Sequence, residues 1–164
     1  MQYIELSRPA AQDAPKLGRI CFEAFRAVSE GHGFERPFPD PETAARVLQL
    51  ILDLPGSFGV AARVDGRLVG SNFLLLTDGV AGVGPITVDP AIQGRGVGRR
   101  LMQAVLDYAA QRGVERVRLL QDACNTVSLS LYASLGFDRR AWISSSARCA
   151  TLRCTAPPSR AAAG

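Results

Sequence analysis

The glycine-rich turn Gln93–Gly98, with the sequence Gln-Gly-Arg-Gly-Val-Gly, constrains the fold of this chain more than any other feature. It follows a strand pattern that ends at Asp89-Pro90, and it leads into a helical pattern whose apolar stripe begins at Leu101. The first amides of a helix have no intrahelical partner, and the helix dipole places positive potential beside them. Glycines also let the backbone approach a ligand closely, because they have no Cβ. The turn therefore predicts a site for phosphate oxygens; the alternative interpretation is a tight strand-to-helix connection with exposed arginines.

Two better-known phosphate loops do not fit this turn. A P-loop requires the string GxxxxGK[ST], which does not occur in the sequence. The dinucleotide fingerprint GxGxxG requires a spacing different from that of Gly94, Gly96 and Gly98. The strand predicted after this helix is also rich in Arg and Leu, where a dinucleotide-binding fold carries an acidic residue. The sequence therefore disfavours both classes of nucleotide-binding fold.

Hydrophobic periodicity and turn residues predict the element order βααβββαβαββ. Helices are expected after Asp13, after Asp40, after the glycine-rich turn and over 126–135. Strands are expected over 2–8, 58–64, 68–76, 80–88, 116–121, 137–143 and 147–152. A mostly antiparallel first half followed by a βαβ unit predicts an α/β (α+β) fold, in which four helices flank a mixed, mostly antiparallel, twisted sheet.

Composition limits the classes of function. The chain has 164 residues, of which 47% are hydrophobic and 21% charged, which is typical of a soluble globular protein. We expect one domain over 1–153 and a disordered tail over 154–164. The chain has no apolar run near the ~20 residues of a membrane span and no signal-peptide pattern, so we expect a cytoplasmic protein that contacts no membrane. The net charge of +4 suits an anionic ligand but lacks the basic clustering of a nucleic-acid binder. Four cysteines without a CxxC pair, and the single histidine His32, predict reduced thiols and no metal site.

A second segment, Asn125–Phe137, gives the chain a resemblance to a known family, the GNAT superfamily of N-acetyltransferases. The family signature Q/R-x-x-G-x-G/A lies between its fourth strand and third helix, and Gln93–Gly98 fits this signature. Ile86–Pro90 looks like the end of the family's fourth strand, and Asn125–Phe137 resembles its Asn…Leu-Tyr…Leu-Gly-Phe segment. The resemblance spans residues 1 to about 153 and is specific from 86 to 137.

The resemblance implies a binding site for acetyl-CoA, which acts as acyl donor, and no metal. Loop amides of the family bind the CoA pyrophosphate, and the main chain of the fourth strand bonds the pantetheine arm. The residues so implied are Gln93, Gly94, Arg95, Gly96, Val97, Gly98 and Arg99 for the pyrophosphate, and Ile86, Thr87, Val88 and Asn125 for the pantetheine and thioester. A main-chain N–H in this strand would polarise the thioester carbonyl where the fourth and fifth strands separate.

Tyr132 is the implied catalytic residue, because the family uses a tyrosine here to protonate the departing CoA thiolate. Asn125 and Tyr132 lie seven residues apart, so they share one face of a helix. Two alternatives stay open at this point. Tyr132 falls within an apolar pattern and could belong to the core, and Asn125 could cap the helix.

The chain departs from the family pattern in one respect. Many members carry a glutamate on the fourth strand as general base, but residues 80–88 contain no carboxylate. We expect the loop 29–40 to form one wall of the amine site, with Glu30, His32, Phe34 and Glu35 as candidate substrate-binding residues. Glu30, His32 and Glu35 are also candidates for the missing base. The alternative interpretation is an ordinary polar connection between two helices.

The function implied by the resemblance is direct transfer of an acetyl group from acetyl-CoA to a primary amine of an unidentified acceptor, either a small molecule or a protein amine. No residue demands a covalent acyl-enzyme, although Cys124 could meet His32 in space. The alternative is a non-catalytic acyl-CoA-binding or partner-interaction module of the same fold. A homodimer also stays open.

Overall fold

The computed structural model describes residues 3–77, 80–122, 124–140 and 149–155. In these residues the strands are β1 (Ile4–Ser7), β2 (Ser57–Val64), β3 (Arg67–Thr77), β4 (Val80–Val83), β5 (Thr87–Val88), β6 (Arg116–Asp122), β7 (Asp138–Arg140) and β8 (Cys149–Thr155). The helices are α1 (Ala14–Gly31), α2 (Pro41–Asp53), α3 (Val97–Gln111) and α4 (Thr126–Ser134). One-turn 3₁₀ helices precede α1 and follow β5. None of the helices in these ranges is long and apolar enough to cross a membrane.

The strands form one mixed sheet in the order β1-β2-β3-β4-β6-β8-β7, and β5 pairs with β3. Neighbouring strands are antiparallel except for β4 and β6, which are parallel and are connected through α3. This arrangement confirms the predicted mixed, mostly antiparallel sheet with four helices. It also places the start of α3 beside the strand segment that is predicted to bind the ligand.

The predicted strand 80–88 is two strands, so the element order contains one strand more than expected. Gly84, Pro85 and Ile86 separate β4 from β5. Proline has no N–H to give to a ladder, and Gly84 has a φ of 131°, so the regular strand ends here. The amide of Gly84 still donates to the Phe73 carbonyl at 2.9 Å, which holds the interruption against β3.

The C-terminal end of the domain differs slightly from the prediction. β8 extends to Thr155, two residues beyond the expected domain end at 153. The rest of the predicted tail, 156–164, lies outside the described residues, as do 141–143 and 147–148 of the two predicted C-terminal strands.

Two apolar clusters pack on opposite faces of the sheet. Successive residues of β3 enter different clusters, because their side chains point to opposite faces of the sheet. Phe73 packs with α1 and α2, in a cluster that also contains Leu17, Cys21, Ala44 and Leu48. Leu74 packs with α3, in a larger cluster that also contains Leu101, Met102, Val105, Tyr132 and Phe137. The buried Asn72 joins β3 to α3, since its Nδ2 donates to the Leu101 carbonyl at 3.4 Å.

The helices α1 and α2 approach each other most closely at Gly18. A Cβ at this position would meet the Cβ of Ala45, and the Ala45 backbone nitrogen at 2.6 Å. Asp40 begins α2 as predicted, because its Oδ1 accepts from the Thr43 amide at 2.6 Å. Since α1 carries one wall of the cleft described below, this contact also positions that wall.

Asp13 anchors the start of α1 to the sheet. Its carboxylate is 5% exposed, accepts from the Ala10 amide at 3.0 Å and from Arg63 Nη2 at 2.8 Å. Burial by itself raises the pKa of Asp13, but the bonds from Ala10 and Arg63 outweigh burial and hold the pKa below its ordinary value of 3.8. The ionised form of Asp13 therefore stabilises the fold.

Candidate active site

The cleft of this domain begins where two parallel strands separate. β4 and β6 pair from Val80 with Arg116 to Val83 with Leu119. Beyond this point β5 pairs with β3 through Ser71 and Gly70, whereas β6 continues along β8 as far as Asp122. Within the described residues, the edge of β5 that faces β6 therefore has no strand partner. Ligands of α/β proteins bind at such carboxyl ends of parallel strands.

A cavity of about 580 Å³ lies in this opening. The second half of α1, the segment from β4 to β5, the glycine-rich turn, the end of β6 and the start of α4 line it. It therefore joins the two motifs that the sequence singled out, 86–98 and 125–137, at one site. A volume of this size is in the range of small-molecule sites.

The glycine-rich turn has the conformation that glycine requires. Gly94 and Gly96 have φ angles of 80° and 82°, and a Cβ at either position would meet no atom within 4 Å. The left-handed backbone, and not crowding by neighbouring atoms, therefore explains these two glycines, whereas a Cβ at Gly98 would lie 3.3 Å from Leu131. Gly96 is the N-cap of α3, and no side chain caps this helix. Val97 and Gly98, the first residues of α3, line the cavity, and uncapped amides at a helix start suit phosphate oxygens.

Two side chains hold the turn in position. Gln93 Nε2 donates to the Val88 carbonyl at 3.1 Å, which ties the turn to β5. Arg99 Nη2 donates to Ser134 Oγ at 2.6 Å, which ties the first turn of α3 to the end of α4. Among the predicted pyrophosphate residues only Arg95 does not line the cavity.

Ile86, Thr87 and Val88 form the wall opposite β6 and line the cavity. Their backbone borders the opening, because β3 is the only strand that pairs with β5 in the described part of the sheet. An extended chain with its own amides can pair with such an edge, as in β-strand addition.

Tyr132 lies in the core, which confirms the core interpretation, and it also lines the cavity, while its catalytic role stays a prediction. It is 4% exposed, and its ring centroid is 6.0 Å from that of Phe137. Burial raises the pKa of Tyr132, and a side-chain hydrogen bond with Ser128 offsets only part of this increase. The phenol therefore keeps its proton at neutral pH and can donate it.

Asn125 caps α4. Its Oδ1 accepts from the Ser128 amide at 3.1 Å, which confirms the capping alternative. Asn125 also lines the cavity, together with Ser128 of the same helical turn. The cap therefore fixes the start of α4, the helix that carries Tyr132.

Residues 29–31 of the predicted loop 29–40 belong to the last turn of α1, and only one of the four candidate residues reaches the cavity. His32 lines it, whereas Glu30, Phe34 and Glu35 do not. Glu30 forms ion pairs with Arg26 at 3.1 Å and with Arg36 at 2.6 Å. Phe34 lies behind His32, with ring centroids 6.5 Å apart and planes 13° from parallel.

Asp122, which the sequence argument did not single out, also lines the cavity. It is the last residue of β6, on the wall opposite β5. Asp122 lies outside both segments from which the sequence argument drew a candidate base, the strand 80–88 and the loop 29–40. The signal that could have found Asp122 was its place at the carboxyl end of a strand parallel to β4.

The sequence profile of the family described as "Acetyltransferase (GNAT) family" matches residues 24–137, more than half of the chain. The chain belongs to this family. The matched range begins at the residue of α1 that first lines the cavity and ends just after α4, so it contains the whole cleft of this GNAT domain.

Related sequences are longer than this GNAT domain. A mycothiol acetyltransferase of Clavibacter sepedonicus is 41% identical over 134 residues, which cover 82% of the chain and 42% of that protein. A mycothiol acetyltransferase of Arthrobacter sp. (strain FB24) is 35% identical over 122 residues, which cover 71% of the chain and 38% of that protein. The chain thus spans less than half the length of these relatives.

Solved structures share the fold. The PaiA N-acetyltransferase of Thermoplasma acidophilum, solved in complex with coenzyme A, has a TM-score of 0.77 at 16% identity, over 93% of this chain and 99% of that chain. A GCN5-related N-acetyltransferase of Kribbella flavida has a TM-score of 0.77 at 24% identity, over 93% and 97% of the two chains. At these identities the similarity establishes the fold alone.

Proposed function

We propose that this GNAT domain transfers an acetyl group directly from acetyl-CoA to a primary amine. The observation that carries the proposal is the unpaired edge of β5, with the uncapped start of α3 at one end and Tyr132 within the same cavity. An extended ligand with a pyrophosphate, two amides and a terminal thioester fits these three features in that order: the start of α3, the edge of β5 and Tyr132.

Binding follows from the backbone groups in the cleft. The pyrophosphate lies on the amides of Gln93–Gly98, where the dipole of α3 favours negative charge. Arg99, and Arg95 from outside the cavity, add positive charge near this turn. The pantetheine arm bonds the main chain of Ile86–Val88 in place of a neighbouring strand, and the capped start of α4 at Asn125 borders its far end.

Transfer then requires polarisation of the carbonyl and a proton for the sulfur. A main-chain N–H of Ile86–Val88 stabilises the oxyanion as the amine attacks the thioester carbon. Tyr132 donates its phenolic proton to the departing thiolate. Burial raises the pKa of the Cys21 thiol to about 12, so Cys21 is no nucleophile at neutral pH. Cys124 lines the cavity, so a covalent acyl-enzyme would be sought on this thiol.

The acceptor is bounded by the helix α1 on one side and by the end of β6 on the other. The names of the longer relatives put mycothiol-type amines first among the candidates, followed by polyamines, aminoglycosides, amino acids, lysines and protein amino termini. A non-catalytic acyl-CoA-binding module is the second candidate, because neither β4 nor β5 carries a carboxylate. The buried, protonated Tyr132 favours the enzyme.

A thiol-release assay with acetyl-CoA and this panel of amines, run beside calorimetry with CoA, tests the proposal. We expect CoA binding, amine-dependent thiol release and an acetylated amine by mass spectrometry. CoA binding without turnover for any amine would favour the binding module, and absence of CoA binding would contradict both functions. An acetyl group on Cys124 in the quenched protein would replace direct transfer by a covalent route.

We also infer one domain with a boundary near 153–155, since β8 joins the last described residues to the sheet that begins at Ile4. Cys21 and Cys124 are free thiols, which supports a reducing compartment such as the cytoplasm. Limited proteolysis followed by mass spectrometry tests the boundary, since a stable fragment should end close to Thr155.

A further inference from the structure

We propose that His32 is the general base that takes a proton from the acceptor amine. This inference rests on the proposed acetyl transfer. An alkylamine has an ordinary pKa of about 10.4, so it reaches a neutral site as an ammonium ion, which has no lone pair for attack. The strands β4 and β5 carry no carboxylate, so the proton acceptor has to come from another element around the cleft.

The position of His32 follows from the end of α1. The backbone N–H of His32 bonds the carbonyls of Glu30 and Ser29, so it does not satisfy the Val28 carbonyl one turn earlier. The imidazole takes this place, with Nδ1 at 2.9 Å from the Val28 oxygen. The side chain of His32 therefore caps the C-terminal end of α1.

This bond selects the tautomer of the ring. A carbonyl oxygen only accepts hydrogen bonds, so Nδ1 of His32 must carry a proton in order to bond Val28. In the neutral ring Nε2 is then the nitrogen with the free lone pair, which is the form that a base requires. Phe34 lies nearly parallel to the imidazole, with ring centroids 6.5 Å apart.

The helix α1 brings His32 to the cleft. Ala24, Val28 and His32 are spaced by four residues, so they form one stripe, and all three line the cavity. α1 packs against β5, the strand whose free edge borders the same cavity. The stripe therefore ends at His32, on the side from which an acceptor can approach the thioester.

The other titratable side chains around the cavity are less suited to this role. These are Arg99, Asp122, Cys124 and Tyr132. Arg99 is a cation bound to Ser134, and Tyr132 is held in its protonated form by burial. The neutral imidazole of His32 offers a ring nitrogen with a free lone pair, whereas Asp122 lies at the end of β6, on the wall opposite β5. Asp122 instead attracts the ammonium ion from the opposite wall.

The step balances as follows. One ammonium proton moves to Nε2 of His32, and the nitrogen lone pair forms the C–N bond to the thioester carbon. The C–S bond then breaks, and the sulfur takes the proton of Tyr132. The second proton lost by nitrogen, as the amide forms, returns to the phenol through solvent. His32 releases its proton to water, so one proton is produced for each acetylated ammonium ion.

The tautomer is tested by nitrogen-15 NMR on the intact protein. Because the sequence contains one histidine, every imidazole signal belongs to His32. We expect the neutral ring to carry its proton on Nδ1, and we expect the Nε2 signal to shift when the acceptor is added to the CoA-bound protein. A neutral ring protonated on Nε2 would overturn the proposal.

The role is tested with His32→Asn, whose amide can still donate to the Val28 carbonyl but holds no basic nitrogen. With an alkylamine found in the panel above, we expect kcat to fall by ~10²–10⁴-fold while CoA affinity stays the same. A less basic amine, which arrives neutral, should lose far less. Glu23→Gln is the control on the same helix, since Glu23 forms only a surface ion pair with Arg26, and it should keep the parental kcat.

Three results would overturn the inference while leaving acetyl transfer intact. The first is parental turnover in His32→Asn, and the second is an equal loss for basic and weakly basic amines. The third is loss of turnover in Asp122→Asn alone, which would assign the base to β6. If the unaltered protein neither binds CoA nor releases thiol, the proposed function itself fails, which is a distinguishable outcome.

Discussion

Val83 and Leu119 are the last register pair between the parallel strands β4 and β6. The chain beyond Val83 stays beside β3, and the chain beyond Leu119 stays beside β8. The opening between them is thus set by backbone pairing on both sides, and not by the side chains that line it. This makes the position of the cleft a property of the sheet and leaves the chemistry to a few residues at its rim.

Replacing Gly96 by valine should abolish CoA binding and leave the domain folded. The left-handed φ of 82° costs a β-branched residue about 1–3 kcal/mol, less than the stability of a typical domain. The turn would relax and its amides would leave their positions. Calorimetry with CoA and circular dichroism measure the two effects.

The control for this change is Gly82→Ala, in β4. A Cβ there meets no atom within 4 Å, and Gly82 does not line the cavity. CoA affinity should equal that of the parent. Unchanged affinity in a folded Gly96→Val variant would remove the glycine-rich turn from the binding site.

Tyr132→Phe should keep CoA binding and lower kcat by ~10²–10⁴-fold, since it removes only the proton donor. Tyr108→Phe is the matched control, because Tyr108 is stacked on Phe58 with centroids 3.9 Å apart and does not line the cavity. Steady-state kinetics with a saturating amine measure the effect. A Tyr132→Phe variant with parental kcat would leave this residue a packing role only.

The pH dependence gives a second measurement on Tyr132. The phenol donates only when protonated, and burial raises its pKa above the ordinary 10.0. Activity should therefore persist as pH rises toward 10, and the loss that Tyr132 causes should begin only above it. A basic limb below pH 10 that disappears in Tyr132→Phe would contradict the direction of this shift.

Gly18→Ala should lower the free energy of unfolding by about 1–3 kcal/mol, because the new methyl group collides with Ala45 and separates α1 from α2. Gly31→Ala, in the same helix, has no atom within 4 Å of its new Cβ. This second change should be neutral or stabilising by up to about 1 kcal/mol, since alanine favours a helix. Urea unfolding of both variants checks the opposite signs, and equal effects would refute the close contact.

Asp13→Asn should lower the free energy of unfolding at pH 7 by about 1.5–3 kcal/mol, because hydrogen bonds to a charged group are lost. The folded-state pKa of Asp13 lies below 3.8, so its stabilisation is complete above that value and is lost as pH falls through the folded pKa. The difference in unfolding free energy between parent and variant should therefore be complete at pH 7 and should shrink as the pH falls below 3.8. A difference that is constant over this range would contradict the role of Asp13.

The elements of this fold were predictable because local signals agree with the tertiary structure. Asp65 and Gly66 have the positive φ angles, 50° and 75°, of the hairpin turn that the sequence indicated. The apolar stripes of α1 and α3 likewise face the two clusters. The interruption at Pro85 was partly visible, since proline gives no N–H to a ladder. After Pro85, β5 pairs with β3 and not with β6. This depends on the course of β6, which cannot be read from a local sequence pattern.

The rim of the site was less predictable. Tyr132 satisfies an apolar pattern and lines a cavity, and periodicity cannot separate these two properties. His32 reaches the site, whereas Glu30 and Glu35 do not. Its position depends on where α1 ends and on the Val28 carbonyl that its ring caps, and neither can be read from the sequence. Asp122 enters the site because β6 is parallel to β4, a pairing that needs the complete topology.

The free edge of β5 has a consequence for the energetics of the whole domain. A sheet with an interior edge is incomplete, and the ligand that pairs with this edge adds the backbone bonds that a missing strand would have made. Because such a ligand binds only the folded chain, its binding energy adds to the stability of the fold, by about 2.7 kcal/mol at a ligand concentration of one hundred times Kd. The melting temperature of this protein should therefore rise with acetyl-CoA concentration, and cells low in acetyl-CoA would hold a less stable form of it.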